Sequence, residues 1–134
     1  MSEENVEIVR RFYGAFNQHD EDSLKALLSP QFRWDPNPDD PERQPRTSRE
    51  ETFDLLHGMW KSLPGLRTEI EETLSEGNDV VAVVHHTATV PGSDSLIERG
   101  EAHAWTLEDG TIRRLREFPT REDALEAVGR RSSA

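Results

Sequence analysis

The chain reads as an α+β domain in which three helices from the N-terminal half wrap a curved antiparallel sheet into a cone, with one further helix at the C-terminal end. Three observations point there. Apolar residues recur at helical spacing through the first half of the chain. The period then changes from 3.6 to 2. Turn residues interrupt that second stretch too closely for the crossovers that parallel strands need. Helices gathered before an antiparallel sheet cover one of its faces, and a curved sheet closed this way tends to enclose a cavity while its other face stays free for a partner.

Val9, Phe12, Tyr13 and Phe16 form one stripe and predict a helix over residues 3 to 18. Asp20 caps a second helix with Glu21 and Asp22 in its first turn, Leu24, Leu27 and Leu28 inward, and Pro30 at its end. Phe32-Arg33-Trp34-Asp35 alternates as a short strand cut off by Pro36. Residues 36 to 47 hold four of the eight prolines and no apolar period, a loop long enough for a functional role. Ser48-Arg49-Glu50-Glu51 is a capping box, in which hydroxyl and carboxylate satisfy each other's amides. Phe53, Leu56, His57 and Trp60 repeat the stripe, and Pro64-Gly65 closes the third helix.

Leu66 to Leu74 then alternates with one charged face. Gly77-Asn78-Asp79 turns into Val80 to Val90, where seven of eleven residues are β-branched and the start reads as buried on both sides. Pro91-Gly92-Ser93-Asp94 leads to Leu96 to Leu107, and Glu108-Asp109-Gly110 to Thr111 to Phe118. Pro119-Thr120 starts the last helix, with Ala124, Leu125 and Val128 inward and Gly129 as its stop. The expectation is one domain over residues 1–129 with a short tail at 130–134.

Composition narrows function. The 134 residues carry 16 Lys and Arg against 27 Asp and Glu, a net charge of −11, which repels nucleic acid and acidic lipid. Cysteine is absent, so disulfides, thiolate zinc sites and a catalytic thiol are excluded. No apolar run approaches the roughly 18 residues of a membrane span, and the N-terminus lacks a signal-like stretch. The expected setting is therefore the cytoplasm.

Glu4-Asn5-Val6-Glu7-Ile8-Val9-Arg10-Arg11 with Phe16-Asn17 and Asp20, Phe32-Arg33-Trp34, and Ser48-Arg49-Glu50 follow one another in an order that resembles the SnoaL-like branch of the nuclear-transport-factor-2-like superfamily. His103-Ala104-Trp105, Asp109-Gly110 and Ile112 to Arg116 look like its closing hairpin, and Arg121 to Ala127 like the last helix of an actinobacterial-type subgroup. The resemblance spans nearly the whole chain. It implies a cone-shaped fold, a homodimer across the outer sheet face and a pocket for a small hydrophobic molecule. It does not imply one activity.

Asp35 matches the position of the general base in the related ketosteroid isomerases, where a carboxylate facing an apolar cavity gains proton affinity. An Asp before Pro also caps a strand end locally. Those enzymes' oxyanion donors fall, by the same registration, on Phe12 and Ala102, which cannot serve, and Tyr13 lies one residue off. Glu117 sits where limonene-epoxide-hydrolase-like members carry a carboxylate. Their Arg-x-Asp partner on a middle strand is missing from His85-His86-Thr87, and Arg99-Gly100-Glu101 has a similar spelling on another strand.

His85 alternates with Val81, Val83 and Thr87, the face expected to line the pocket, and can shuttle a proton there or be satisfied at a strand end. Because registration puts Ala102 on the cavity side, His103 is expected outward. His57 reads as a core or rim residue and His19 as part of a cap. Without a His-x-His pair or HExxH, no metal is expected, and no cofactor. Arg113 shares a face with Leu115 and Glu117 and can anchor an anionic or carbonyl ligand, while Arg114 and Arg116 suit cross-strand ion pairs. Phe12, Phe16, Trp34, Phe53 and Trp60 supply apolar wall. Two readings stay open: a cofactor-independent acid–base enzyme on a small hydrophobic carbonyl compound, and a non-catalytic binding or dimerisation module.

Overall fold

The computed structural model describes residues 2–40 and 43–133, the side chains of residue 2 and residues 130–133 excepted. In chain order the elements are α1 (Ser2–Asn17), α2 (Glu21–Leu27), β1 (Leu28–Asp35), α3 (Arg49–Ser62), β2 (Arg67–Glu76), β3 (Asp79–Thr89), β4 (Leu96–Glu108), β5 (Thr111–Phe118) and α4 (Arg121–Ser133). The five strands form one curved, open sheet in the order β1-β5-β4-β3-β2. This is the expected α+β cone with one correction: β1 joins the sheet parallel to β5, pairing Trp34 with Leu115 and Asp35 with Arg116, so the sheet is mixed. One helix, α3, and the three strands β2, β3 and β4 lie between those two in the chain, far more than the crossover a parallel pair requires.

The local signals hold with instructive exceptions. Asp20 caps α2 through the Ser23 amide, and Ser48 caps α3 through the Glu51 amide. Glu51 does not return the bond to Ser48; its carboxylate accepts from the amide and hydroxyl of Thr47, both at 2.8 Å. Pro30 does not end α2, which stops at Leu27, but sits exposed inside β1. An edge strand tolerates it because one side of its ladder is unpaired anyway. Gly129 likewise fails to stop α4. At the β4–β5 turn, Asp109 and Gly110 have φ of 53° and 78°, the left-handed pair of a two-residue hairpin.

Two apolar clusters flank the sheet. The larger packs α1, α2 and α3 against one face and contains Phe12, Tyr13, Phe32, Val80, Val84, Trp105 and Ile112. The smaller places α4 on the other face, with Ala124 and Val128 against Val81, Ala102 and Ala104. Every β4 residue from Glu101 to Leu107 is consequently buried. Among the described residues no helix is long and apolar enough to cross a membrane.

Candidate functional site

Between the helices and the sheet lies a small inner chamber of about 60 Å³, walled by Phe12, Phe16, Phe32, Trp34, Leu56 and Leu115 and ending on Tyr13, Thr68, His86, His103 and Glu117. It meets an outer chamber of about 210 Å³, the two sharing Phe16, Met59, His86 and Glu117. The shared polar residues come from neighbouring strands. On β4, Glu101, His103 and Trp105 alternate onto the same face. Glu117 of β5 is the register partner of His103, and Thr68 of β2 is the partner of His86.

These side chains form one hydrogen-bonded network, and its proton order follows from its two ends: the Trp105 indole can only donate, and the ionised Glu101 carboxylate can only accept, which puts the His103 proton on Nε2. The Trp105 indole N–H donates to the Tyr13 hydroxyl at 2.9 Å. The Tyr13 hydroxyl then donates to His103 Nδ1 at 2.6 Å, leaving His103 Nε2–H to donate to Glu101 at 2.7 Å. His86 Nε2 donates to the same Glu101 oxygen at 2.9 Å, with Thr68 on its Nδ1 at 2.7 Å. Asn37, only 1% exposed, ties the two acids together: its side-chain amide donates to Glu101 at 2.8 Å and its backbone N–H to Glu117 at 3.2 Å. Arg99 lies 3.6 Å from Glu101 while both oxygens of Asp40 hold it at 3.1 and 3.2 Å.

The two acids are driven in opposite directions. Burial resists ionisation of Glu101, but the bonds from His103, His86 and Asn37 outweigh it and hold this carboxyl well below the usual range. Burial, then the Glu101 charge, pushes Glu117 up to about 8, so it carries a proton at neutral pH. Burial lowers the proton affinity of His103 despite the bond and charge of Glu101, and raises that of Tyr13. The site therefore presents an uncharged acid beside a fully solvated-by-protein carboxylate, with oxygens within 4.8 Å of each other.

His86, Glu101 and His103 could together offer three ligand atoms to a cation.

Of the residues expected at the site, Phe12, Phe16, Trp34, Leu115 and Glu117 line the inner chamber. Asp35 does not. It lies on the opposite face of β1 from Trp34, bonded to Arg33 and to Arg114, and these two cations overcome its partial burial to hold its carboxyl below the ordinary value. His85 also faces away, 3.0 Å from Glu98. Ala102 lies under α4. Arg113 occupies an irregularity in the β4–β5 register and pairs loosely with Glu108 at 3.7 Å. Phe53 is buried in the core below Lys25, and Trp60 stacks on His19 with ring centroids 4.7 Å apart. His57 is on the surface with Glu21.

The residues placed outside the site by the sequence are those the structure brings in: Tyr13, His86, His103, and Glu101 with Arg99. The Arg99-Gly100-Glu101 spelling, on a strand other than the one expected to be central, lies on β4, which is the middle strand of the five. Asn37 and Thr68 carried no sequence signal.

An α+β cone with an apolar chamber ending on a paired acid and carboxylate is an architecture of the nuclear-transport-factor-2-like class. The family model described as SnoaL-like domain matches residues 9–115, and the chain belongs to that family. Among solved structures it is similar to Bal32a from a soil-derived mobile gene cassette, at 23% identity and a TM-score of 0.78, covering 87% of this chain and 88% of that one. TerC, co-crystallised with polyporic acid, matches at 18% identity and a TM-score of 0.77 over 94% and 98%. An LEH-like epoxide hydrolase of M. tuberculosis matches at 18% and 0.75 over 96% and 87%. At these identities the likeness is one of fold. No curated protein matches the chain.

Proposed function

We propose that this chain is a cofactor-independent acid–base enzyme acting on a small hydrophobic molecule that carries an oxygen at one end. The supporting observation is the contrast in surroundings of two neighbouring carboxyls, Glu101 bonded by His103, His86 and Asn37 and Glu117 buried beside it, since environments that push a pair of acids apart create a donor and an acceptor in one site. With a carbonyl compound, Glu117 gives its proton to the carbonyl oxygen as the ionised carboxylate Glu101 takes one from the adjacent carbon. Glu101 then returns its proton to another carbon of the enol while the enol O–H gives its proton back to Glu117, yielding an isomer; or the enol carbon attacks a second carbonyl, whose oxygen takes the Glu101 proton as the enol O–H reprotonates Glu117, closing a ring.

The convergence of Asn37, Arg99, Glu101 and Glu117 favours a second reading on an epoxide. Water held by Glu101 and Asn37 attacks an epoxide carbon and passes its proton to Glu101. The C–O bond breaks, and the freed oxygen takes the Glu117 proton, yielding a diol. His103 Nε2, 2.7 Å from Glu101 and 3.6 Å from Glu117, can hand its proton to Glu117 and recover one from Glu101, which restores the starting state.

Two probes separate these readings: conversion of a non-conjugated cyclic enone to its conjugated isomer, followed by absorbance, and hydrolysis of styrene oxide. Turnover of either should fall as pH rises through about 8, where Glu117 ionises, and should be lost in Glu117→Gln. Binding of both probes without turnover at any pH would leave a binding module in place of an enzyme. The homodimer expected across the outer sheet face would have to use the area beside α4, where His85 and Glu98 lie, and sedimentation of the chain reads that state directly.

A further inference from the structure

The outer chamber has two unlike sides. Leu63, Leu66, Met59, Ala88 and Ile97 make one side apolar, and Ile97 is 46% exposed, a large hydrophobic residue with nothing over it. Charged groups make the other side, and nearly all are matched. Glu101 is satisfied by His86, His103 and Asn37. Asp40 is held by Arg99.

Arg43 is the exception. Its backbone N–H donates to Asp40 at 3.0 Å, which anchors the residue at the chamber wall. Among the described residues its guanidinium has no ion pair and no hydrogen bond. It is close enough to Glu117 for its charge to act on that carboxyl, but a protonated Glu117 offers it no counter-charge. A half-buried guanidinium at a chamber wall, with no carboxylate of the described residues within ion-pair distance, is a ready partner for one, since its planar fork matches the two oxygens of a carboxylate. The chain as a whole carries −11, so any preference for an anion at this place is local and not a long-range attraction.

We propose that the site takes a carboxylate-bearing substrate, with the carboxylate on Arg43 in the outer chamber and the apolar body lying along Ile97, Leu63 and Leu66 toward the shared boundary at Phe16 and Met59. This rests on the reading of the two chambers as one substrate site and names the class of molecule that fills it. Arg43 is then a specificity residue: it touches the ligand away from the reacting atoms. The anionic anchor that sequence spacing placed on Arg113 belongs here instead.

The test compares two probes of matched shape, 4-phenylbutyrate and 4-phenylbutan-1-ol, titrated calorimetrically into the whole chain, wild type and Arg43→Gln. The acid should bind about tenfold more tightly than the alcohol, and Arg43→Gln should erase that difference while leaving the alcohol's affinity unchanged. Arg43→Lys should restore part of it, because a point charge replaces the fork. Equal affinities for the two probes, or a preference for the acid that survives Arg43→Gln, would overturn the proposal. So would the absence of binding by either. The Glu117 carboxyl, followed by carbon-detected NMR on the same samples, keeps the two readings apart. A titration near 8 with no preference for the acid sinks the carboxylate ligand alone, whereas a titration in the ordinary range sinks the acid–base reading whatever the probes do.

Discussion

Replacing Glu117 by Gln should change how stability depends on pH. The carboxyl has an ordinary value of 4.5 in the unfolded chain and about 8 in the folded one. Between these values the folded state binds more protons than the unfolded state, so stability falls as pH rises through that window and levels off above it. The span is 8 − 4.5 = 3.5, which at about 1.4 kcal/mol per unit gives a ceiling of about 5 kcal/mol. Relaxation around the ionised group makes the observed loss smaller. Glutamine keeps an oxygen for the Asn37 amide and cannot ionise, so the variant should lack this descending limb. Glu101 acts with the opposite sign: its stabilisation is present above the ordinary carboxylate range and is lost on acidification, in wild type and variant alike. Urea denaturation, read through the fully buried Trp105 between about pH 5 and 9, measures the difference between the two proteins. Glu117→Gln should gain on wild type steadily up to about pH 8. A constant difference across the range would refute the reasoning, because it would mean Glu117 is ionised throughout.

Two further outcomes follow from the same geometry. Tyr13→Phe removes the acceptor for Trp105 N–H and the donor to His103 Nδ1, so it should cost roughly 1–3 kcal/mol and shift the Trp105 indole proton in NMR spectra. An unchanged indole resonance would contradict the network. Asp35→Asn breaks partly exposed ion pairs with Arg33 and Arg114, so the loss should stay within about 1 kcal/mol. Probe turnover should be untouched, and a loss of turnover would return Asp35 to the site.

The order and type of the elements were legible because apolar period, caps and turns act locally. The site was legible only in part, and the misses share one cause. In a strand, an error of one residue reverses every side chain. Registration on Ala102 turned His103 outward, and the choice of Val81 and Val83 as pocket wall turned His86 outward with it. Ordinary alternation gave no warning, since β4 is buried on both faces. The usable signal was size: Trp105 and Leu107 are large, whereas Ala102 and Ala104 leave room for a helix. Arg113 was misplaced because an extra residue interrupts the pairing there, and Ile112 and Leu115 both end in the core. That β4 is central, and that β1 returns beside β5, are properties of strand order in space, which local spacing does not encode. Asn37 sits in a proline-rich loop whose path is set by bridges between Trp34 and Arg46 at 2.8 and 2.9 Å.

The alanines beneath α4 constrain how a protein of this architecture can vary. The hydrogen-bonded network and the helix-facing alanines occupy alternate positions of the same strand, back to back. A bulkier side chain at Ala102 or Ala104 would lift the helix and bend β4, disturbing Glu101 and His103 without touching them. Divergence in what such a chain accepts is therefore channelled toward the opposite wall, where Leu55 and Met59 of α3 can be exchanged while the acid pair keeps its spacing.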